Sequence, residues 1–215
     1  MSADPPAAAT PYDFRRPGRL PDDVHQRLGV WQQSLCTLAA ERWAQHMKSV
    51  VQWSATSVDT ARAADALAQL PDPGIGCRLT LGETESPTLM AFSRPLMLAL
   101  VGGMLGQETS DLPADRALTT VEQSLVELLM LELVQALNDA QPGLQSCGGR
   151  VGGLELRPQR VRWFPAEEDV VVAGFEISGP FAAQPAWWVL SEEAIVQFML
   201  GQSHSQREKN PDEQS

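Results

Sequence analysis

Leu89-Met90-Ala91-Phe92-Ser93 leads, through a short apolar stretch, to Met104-Leu105-Gly106-Gln107. Trp187-Trp188-Val189-Leu190-Ser191 leads in the same way to Met199-Leu200-Gly201-Gln202. Each unit reads as an apolar strand, a serine suited to capping a helix, and a helix closed by the same four-residue word. The matching strand and serine before each word point to an internal duplication. The halves run over about residues 20–107 and 118–202.

In the first half, Pro21 and Asp22 open a long helix, with proline and acidic residues suited to its first turn. Val24, Leu28, Trp31, Leu35 and Leu38 share one face. Trp43, Met47 and Val50 lie further round. One helix from 22 to 51 would bend near Ala40 or change neighbours along its length. Val51 to Ser57 reads as a strand, and Ala61 to Leu70 as a short helix stopped by Pro71-Asp72-Pro73-Gly74. Cys77 to Leu81 and Leu89 to Phe92 read as a hairpin. Ser93 and Pro95 open a helix to about Leu105. Gly102-Gly103 either ends it or admits a close neighbour.

Residues 107–117 read as a polar linker. Thr119 and Glu122 form a capping box for Val121 to Leu137, which is apolar round most of its circumference. Only Gln123, Ser124, Glu127, Gln135 and Asn138 mark a polar strip. Gly148 to Gly153 reads as a flexible loop. Leu154 to Trp163 alternates like a strand broken by Pro158. Glu167-Glu168-Asp169 reads as a turn. Val170 to Ile177 and Ala186 to Leu190 are strands, and Glu192 to Leu200 the last helix. Adjacent Trp187 and Trp188 must face opposite sides of a sheet, which is therefore covered on both. Each half reads helix, strands, then strand–serine–helix. That is an α/β protein with a shared, mostly antiparallel sheet. Residues 1–11 and 203–215 read as disordered ends.

Composition narrows the function. The chain has 215 residues, is 43% hydrophobic and carries a net charge of −11, so it can bury a core and lacks the basic surface of a nucleic-acid binder. No apolar run reaches the length of a membrane span. Three cysteines without paired spacing and without a secretory signal suit reduced thiols in a cytosol. His25 and His46 on one helix would stand about 31 Å apart, so they share no metal. The chain has no zinc motif, no Gly-x-Ser-x-Gly elbow and no phosphate-binding glycine loop. No cofactor is implied. Arg157, Arg160 and Arg162 alternate with apolar residues. A solvated strand face is the plainer reading of that pattern, and a partner contact the sharper one.

Tyr12-Asp13-Phe14-Arg15-Arg16-Pro17-Gly18-Arg19 before a long amphipathic helix resembles the start of the middle domain of the flagellar motor switch protein FliM family. The resemblance continues through Leu70-Pro71-Asp72-Pro73, the Ser93 helix, Leu118-Thr119-Thr120-Val121-Glu122-Gln123 and Val170-Val171-Val172. It spans about residues 12–202 in order and implies a pseudo-twofold, three-layer α/β/α sandwich shared with the CheC and CheX phosphatases. It implies a non-enzymatic interaction module, peripheral to the basal body at its cytoplasmic face. The partners it implies are FliG-like and FliN-like switch proteins and neighbouring FliM-like subunits.

The family's Gly-Gly-x-Gly loop, which contacts FliG, aligns with Gly106-Gln107-Glu108-Thr109, where one glycine matches. The shifted register recovers Gly102 and Gly103 inside the helix. Residues 1–11 lack the family's CheY-binding motif, and no FliN-like β domain follows the last helix. The phosphatases' acidic residue with asparagine three positions on is missing: Met130 follows Glu127 at that spacing, and Gln135 follows Glu132. A CheC-like phosphatase and a FliM-like scaffold outside flagella are the alternatives.

Overall fold

The computed structural model describes residues 20–82, 85–107, 110–141 and 147–199. Helix α1 (Asp22–Ala44) is followed by β1 (Gln52–Arg62), the short α2 (Ala63–Ala68), and the hairpin β2 (Gly74–Leu81) and β3 (Ser86–Ser93). Helix α3 (Arg94–Met104) ends the first half. The second half runs α4 (Thr120–Ala140), β4 (Arg150–Glu155), a 3-10 turn (Pro158–Arg160), β5 (Asp169–Ser178), β6 (Gln184–Ser191) and a helix over residues 192–199, α5.

The six strands form one antiparallel sheet in the order β1-β5-β6-β3-β2-β4. Exchanging the halves returns the same order, because the first strand of each half crosses to pair with the other half's middle strand. The centre of the sheet is the pair Met90 and Trp188, both fully buried. Ser93 follows Met90 by the same three residues as Ser191 follows Trp188, so the pseudo-twofold axis passes through that pair. Gly74 and Val170 each pair with the strand-closing serine of their own half, which makes β2 and β5 counterparts. Ile75 and Val171, Cys77 and Ala173, Leu79 and Phe175, and Leu81 and Ile177 then match as pairs, and all eight lie in the main core.

The bulges obey the same symmetry. β1 bulges between Ala55 and Ser57, opposite Phe175 and Gly174. β4 bulges opposite their counterparts, Leu79 and Arg78. The two capping serines also match: Ser93 Oγ accepts from the Leu96 N–H at 3.3 Å, and Ser191 Oγ from the Ala194 N–H at 3.4 Å. The repeated Met-Leu-Gly-Gln word is out of register. Met104 stands eleven residues after its serine and Met199 eight, so Met199 takes the place of buried Val101, one helical turn earlier.

One face of the sheet carries α1, α3, α4 and α5 over the main core. Two α1 tryptophans join these layers. Trp31 Nε1 donates to the Leu137 carbonyl at 3.1 Å, and Trp43 Nε1 to the Leu129 carbonyl at 3.0 Å. Their rings meet Trp188 and Trp53 edge-on, with centroids 5.1 and 4.8 Å apart. Such contacts add about 0.5–1.5 kcal/mol each beyond area burial. The other face carries the smaller core of α2, Leu70, Val161 and Phe164, with Trp187 packed against it. The two adjacent tryptophans therefore do point to opposite faces.

Five expectations need correction. Leu154 to Trp163 is not a strand: β4 ends at Glu155, and Pro158 opens a 3-10 turn that carries the chain onto α2. α1 stops at Ala44 rather than near 51, and residues 45–51 form the link to β1. β1 runs on to Arg62, because β5 offers a partner at every step from Ser178 to Asp169, and α2 shortens to match. The glycine-rich Gly148–Gly153 stretch is no free loop: from Arg150 it is strand β4, and its glycines serve the bulge. α4 is not buried all round. It packs on α1 and the sheet by one side, leaving Val121 and Leu131 at 67% and 49% exposure.

Candidate functional site

The end of α3 forms a corner in which the sequence dictates the geometry. Leu96 to Val101 are buried, so the helix is anchored along its first turns. It then stops in a Schellman arrangement. The Gln107 N–H donates to the Gly102 carbonyl at 2.8 Å, and the Gly106 N–H to the Gly103 carbonyl at 3.1 Å. Gly106 has φ +80°, the left-handed conformation that this closure needs and glycine supplies without strain. Gln107 folds back over the bare helix, its Oε1 3.4 Å from where a Gly102 Cβ would stand. Both readings of Gly102-Gly103 are thus met at once: the helix ends just beyond, and a side chain lies against its backbone.

The link from α1 to β1 wraps this corner. Met47 Sδ lies 4.0 Å from where a Gly103 Cβ would stand, and the Lys48 ammonium 3.1 Å from the same point on Gly106. A cation there faces the partial negative charge of the helix end. Val51, Pro180 and Phe181 line the depression between them. Leu105 and Val50 stand out at 59% and 71% exposure. The corner therefore presents exposed Leu105 and glycine backbone beside Lys48, with Val50 exposed on the link that wraps it.

Gly102, Gly103, Gly106 and Gln107 are brought together here. Glu108 lies outside the described residues, as do the arm residues Tyr12, Asp13, Phe14, Arg15, Arg16 and Pro17. Sequence reading missed Met47, Lys48, Val50 and Phe181 as members of the corner. The rotation of the apolar stripe beyond Trp43 was the signal, because it marks where α1 ends.

The return from α3 to α4 is held by two charged clamps. Arg94 donates to both carboxylate oxygens of Asp115 at 2.6 Å, holding that carboxyl below its usual range. Arg116 donates to both oxygens of Glu122 at 2.5 and 2.8 Å. Glu122 also accepts from the Thr119 N–H at 2.8 Å, which completes the capping box. The Arg116 bonds first, then the Thr119 bond, push the Glu122 carboxyl down to about 2.

The polar side of α4 offers no free catalytic set. Glu132 is bonded by Arg42 at 3.4 Å and His46 at 3.3 Å. Arg42 also donates to Gln135 at 2.9 Å and to Asp139. Asn138 is not part of a solvated strip. Its Oδ1 accepts from the Gly149 N–H at 2.7 Å and from the Cys147 thiol at 2.9 Å, and its Nδ2 donates to the Gly149 carbonyl at 3.1 Å. Burial pushes the Cys36 and Cys77 thiols up to about 12 and Cys147 to about 11, which leaves them protonated and weakly nucleophilic. Among the described residues no cluster of metal-ligating side chains occurs, and no helix is long and apolar enough to cross a membrane.

A palindromic six-stranded sheet with its main helical layer on one face is the fold also found in solved flagellar-switch middle domains. The structure matches FliM of H. pylori in a FliG–FliM complex (TM-score 0.74, 14% identity, 83% of this chain and 100% of that one). It also matches the FliM middle domain of H. pylori (TM-score 0.71, 14% identity, 84% and 100%). The family model for Flagellar motor switch protein FliM matches residues 25–179, and the chain belongs to that family. FliM of Treponema pallidum is 20% identical over 167 residues, covering 78% of this chain and 48% of that protein. FliM of Borreliella burgdorferi is 18% identical over 167 residues, covering 77% and 47%. The chain spans about half the length of these curated relatives.

Proposed function

We propose that this chain is a non-enzymatic component of the flagellar motor switch, at the cytoplasmic face of the basal body, and that the α3 corner is where it docks a FliG-like protein. The observation that carries this reading is Leu105, exposed on a helix end fixed by its own glycine closure. An apolar anchor on a rigid turn binds with little ordering cost. Neighbouring FliM-like subunits and a FliN-like protein are the further partners of this reading. Passing on a rotational state would use shifts at such interfaces rather than chemistry within the domain. Glu132 and Asn138 of α4 are engaged internally, and Met130 stands three positions after the exposed Glu127, so the geometry supplies no acid–asparagine pair for phosphatase action.

A pull-down of the full chain with FliG and FliN of the same organism tests the proposal. Binding at micromolar concentration is expected with FliG, and Leu105→Asp should weaken it about tenfold or more by placing a charge at the anchor. Absence of binding to either protein, together with unimpaired motility on deletion, overturns the switch reading.

A further inference from the structure

The link of residues 45–51, which wraps the α3 corner, is held near both its ends. At its far end Val51 is buried in the main core at 3% exposure. At its near end His46 turns back to α4, where its Nε2 stands 3.3 Å from one carboxylate oxygen of Glu132. A carboxylate only accepts, so His46 is the donor. The other Glu132 oxygen accepts from Arg42 at 3.4 Å. One point on α4 therefore holds both the last turn of α1 and the first residues of the link. The Glu132 side chain is 18% exposed and that of His46 27%, so their contact is partly shielded from water.

Between the two ends the link supplies one wall of the corner. Met47 directly follows His46, and its Sδ lies 4.0 Å from where a Gly103 Cβ would stand. Lys48 comes next, with its ammonium 3.1 Å from the same point on Gly106. At these two glycines α3 offers no side chain to grip its neighbours. The backbone holds the start of the link loosely: the Met47 N–H reaches the Ala44 carbonyl at 3.4 Å, a long bond.

We infer that Glu132 is a positioning residue of the α3 corner, acting through His46. From α4 it fixes the start of the link, and so sets where Met47 and Lys48 lie against Gly103 and Gly106. The inference rests on the corner being the docking surface. Such a surface binds well when its supports hold it in the bound shape beforehand. A partner at the corner then senses how α4 is seated on α1, since one carboxylate serves both. The other members of the cluster do a different job. Gln135 accepts from Arg42 at 2.9 Å and Asp139 also accepts from it, so they join helix to helix without reaching the link.

The test combines FliG binding with nuclear magnetic resonance of the methionine methyl groups, both on the full chain. Glu132→Leu and His46→Phe should each weaken binding of FliG from the same organism about fivefold. The double change should weaken it no further than either alone, because both break one contact. Glu132→Gln keeps an oxygen for His46 and should recover most of the loss. Asp139→Asn, which loosens Arg42 and leaves His46 bonded, should stay within about twofold of the parent. In the spectra, the cross-peak between the Met47 methyl and the Gly103 α-protons should weaken in Glu132→Leu and His46→Phe and persist in Asp139→Asn. That readout needs no partner. A cross-peak that responds while FliG binds no form removes the docking surface and leaves Glu132 as the residue that positions the corner. A cross-peak unchanged by Glu132→Leu overturns the inference, as does FliG binding that Glu132→Leu leaves intact. A loss in Asp139→Asn equal to that in Glu132→Leu also overturns it, because helix pairing alone would then set the corner.

Discussion

β1 and β4 are counterparts built from opposite materials. Each is the first strand of its half, each crosses to the other half's middle strand, and each bulges at the same step. Matching the bulges makes Ala55, Thr56 and Ser57 the equivalents of Val151, Gly152 and Gly153. In β1 the extra residue carries a side chain, and the helix above repairs the ladder: Gln32, only 2% exposed, donates to the Ser57 carbonyl at 3.1 Å and the Gly174 carbonyl at 2.5 Å. In β4 glycine absorbs the bulge in its own backbone, with Gly153 at φ +134°. One topological defect thus has two physical solutions, a buried amide and backbone freedom. The difference leaves β1 long, with its bulge bonded from α1, and β4 short, though both stand at edges of the sheet.

The strongest way to break this comparison is Gln32→Leu. It removes both hydrogen bonds and leaves the buried Gly174 carbonyl unsatisfied and the Ser57 carbonyl to water, at about 2–3 kcal/mol. Urea unfolding should show that loss. Hydrogen exchange should show β1 amides losing more protection than those of β4. A loss below about 1 kcal/mol would mean that water takes over the bulge and the amide is incidental.

Gly153→Ala comes next. No atom lies within 4 Å of the added carbon, so any loss reports backbone strain alone. At that φ the cost is about 1–3 kcal/mol. Ser57→Ala at the equivalent place in β1 should stay within about 0.5 kcal/mol, because Ser57 is exposed and its carbonyl, not its hydroxyl, meets Gln32. Equal losses at the two positions would show that the bulges are not built differently after all.

The same contrast explains what the sequence disclosed. The inner strands announce themselves through apolar runs such as Leu89–Phe92 and Val170–Ile177, since both their faces are covered. The two capping serines and the Thr119–Glu122 box are local devices, legible because the partner lies within three residues. Val58 to Arg62 and Arg150 to Gly153 escaped notice, because an edge strand is assigned by its neighbour's hydrogen bonds and not by its own composition. The α3 corner was half legible. Its glycines stand in the chain, but the residues that wrap it come from the α1–β1 link, far off in sequence. The Met-Leu-Gly-Gln word pointed to the right symmetry in the wrong register, since the second helix reaches its methionine one turn sooner.

The halves also differ where their long helices begin, and here the smallest effect is expected. α1 starts at Pro21 with no side-chain cap and relies on Asp22 and Asp23 in its first turn. α4 starts with a complete capping box. Thr119→Ala should cost about 1 kcal/mol at neutral pH. Glu122 adds a pH signature. Its carboxyl is held at about 2, below the ordinary 4.5, chiefly by Arg116. A depressed carboxyl contributes stability above the unfolded value, so the contribution is whole above pH 4.5 and drains away as pH falls through 2. Glu122→Gln should therefore lower stability at pH 7, and the gap to the parent should close on acidification. Urea midpoints at pH 7, 4 and 2.5 would measure it. A gap that stayed constant down to pH 2.5 would assign the cost to the lost Thr119 bond geometry and leave the Arg116 pairing without influence on α4.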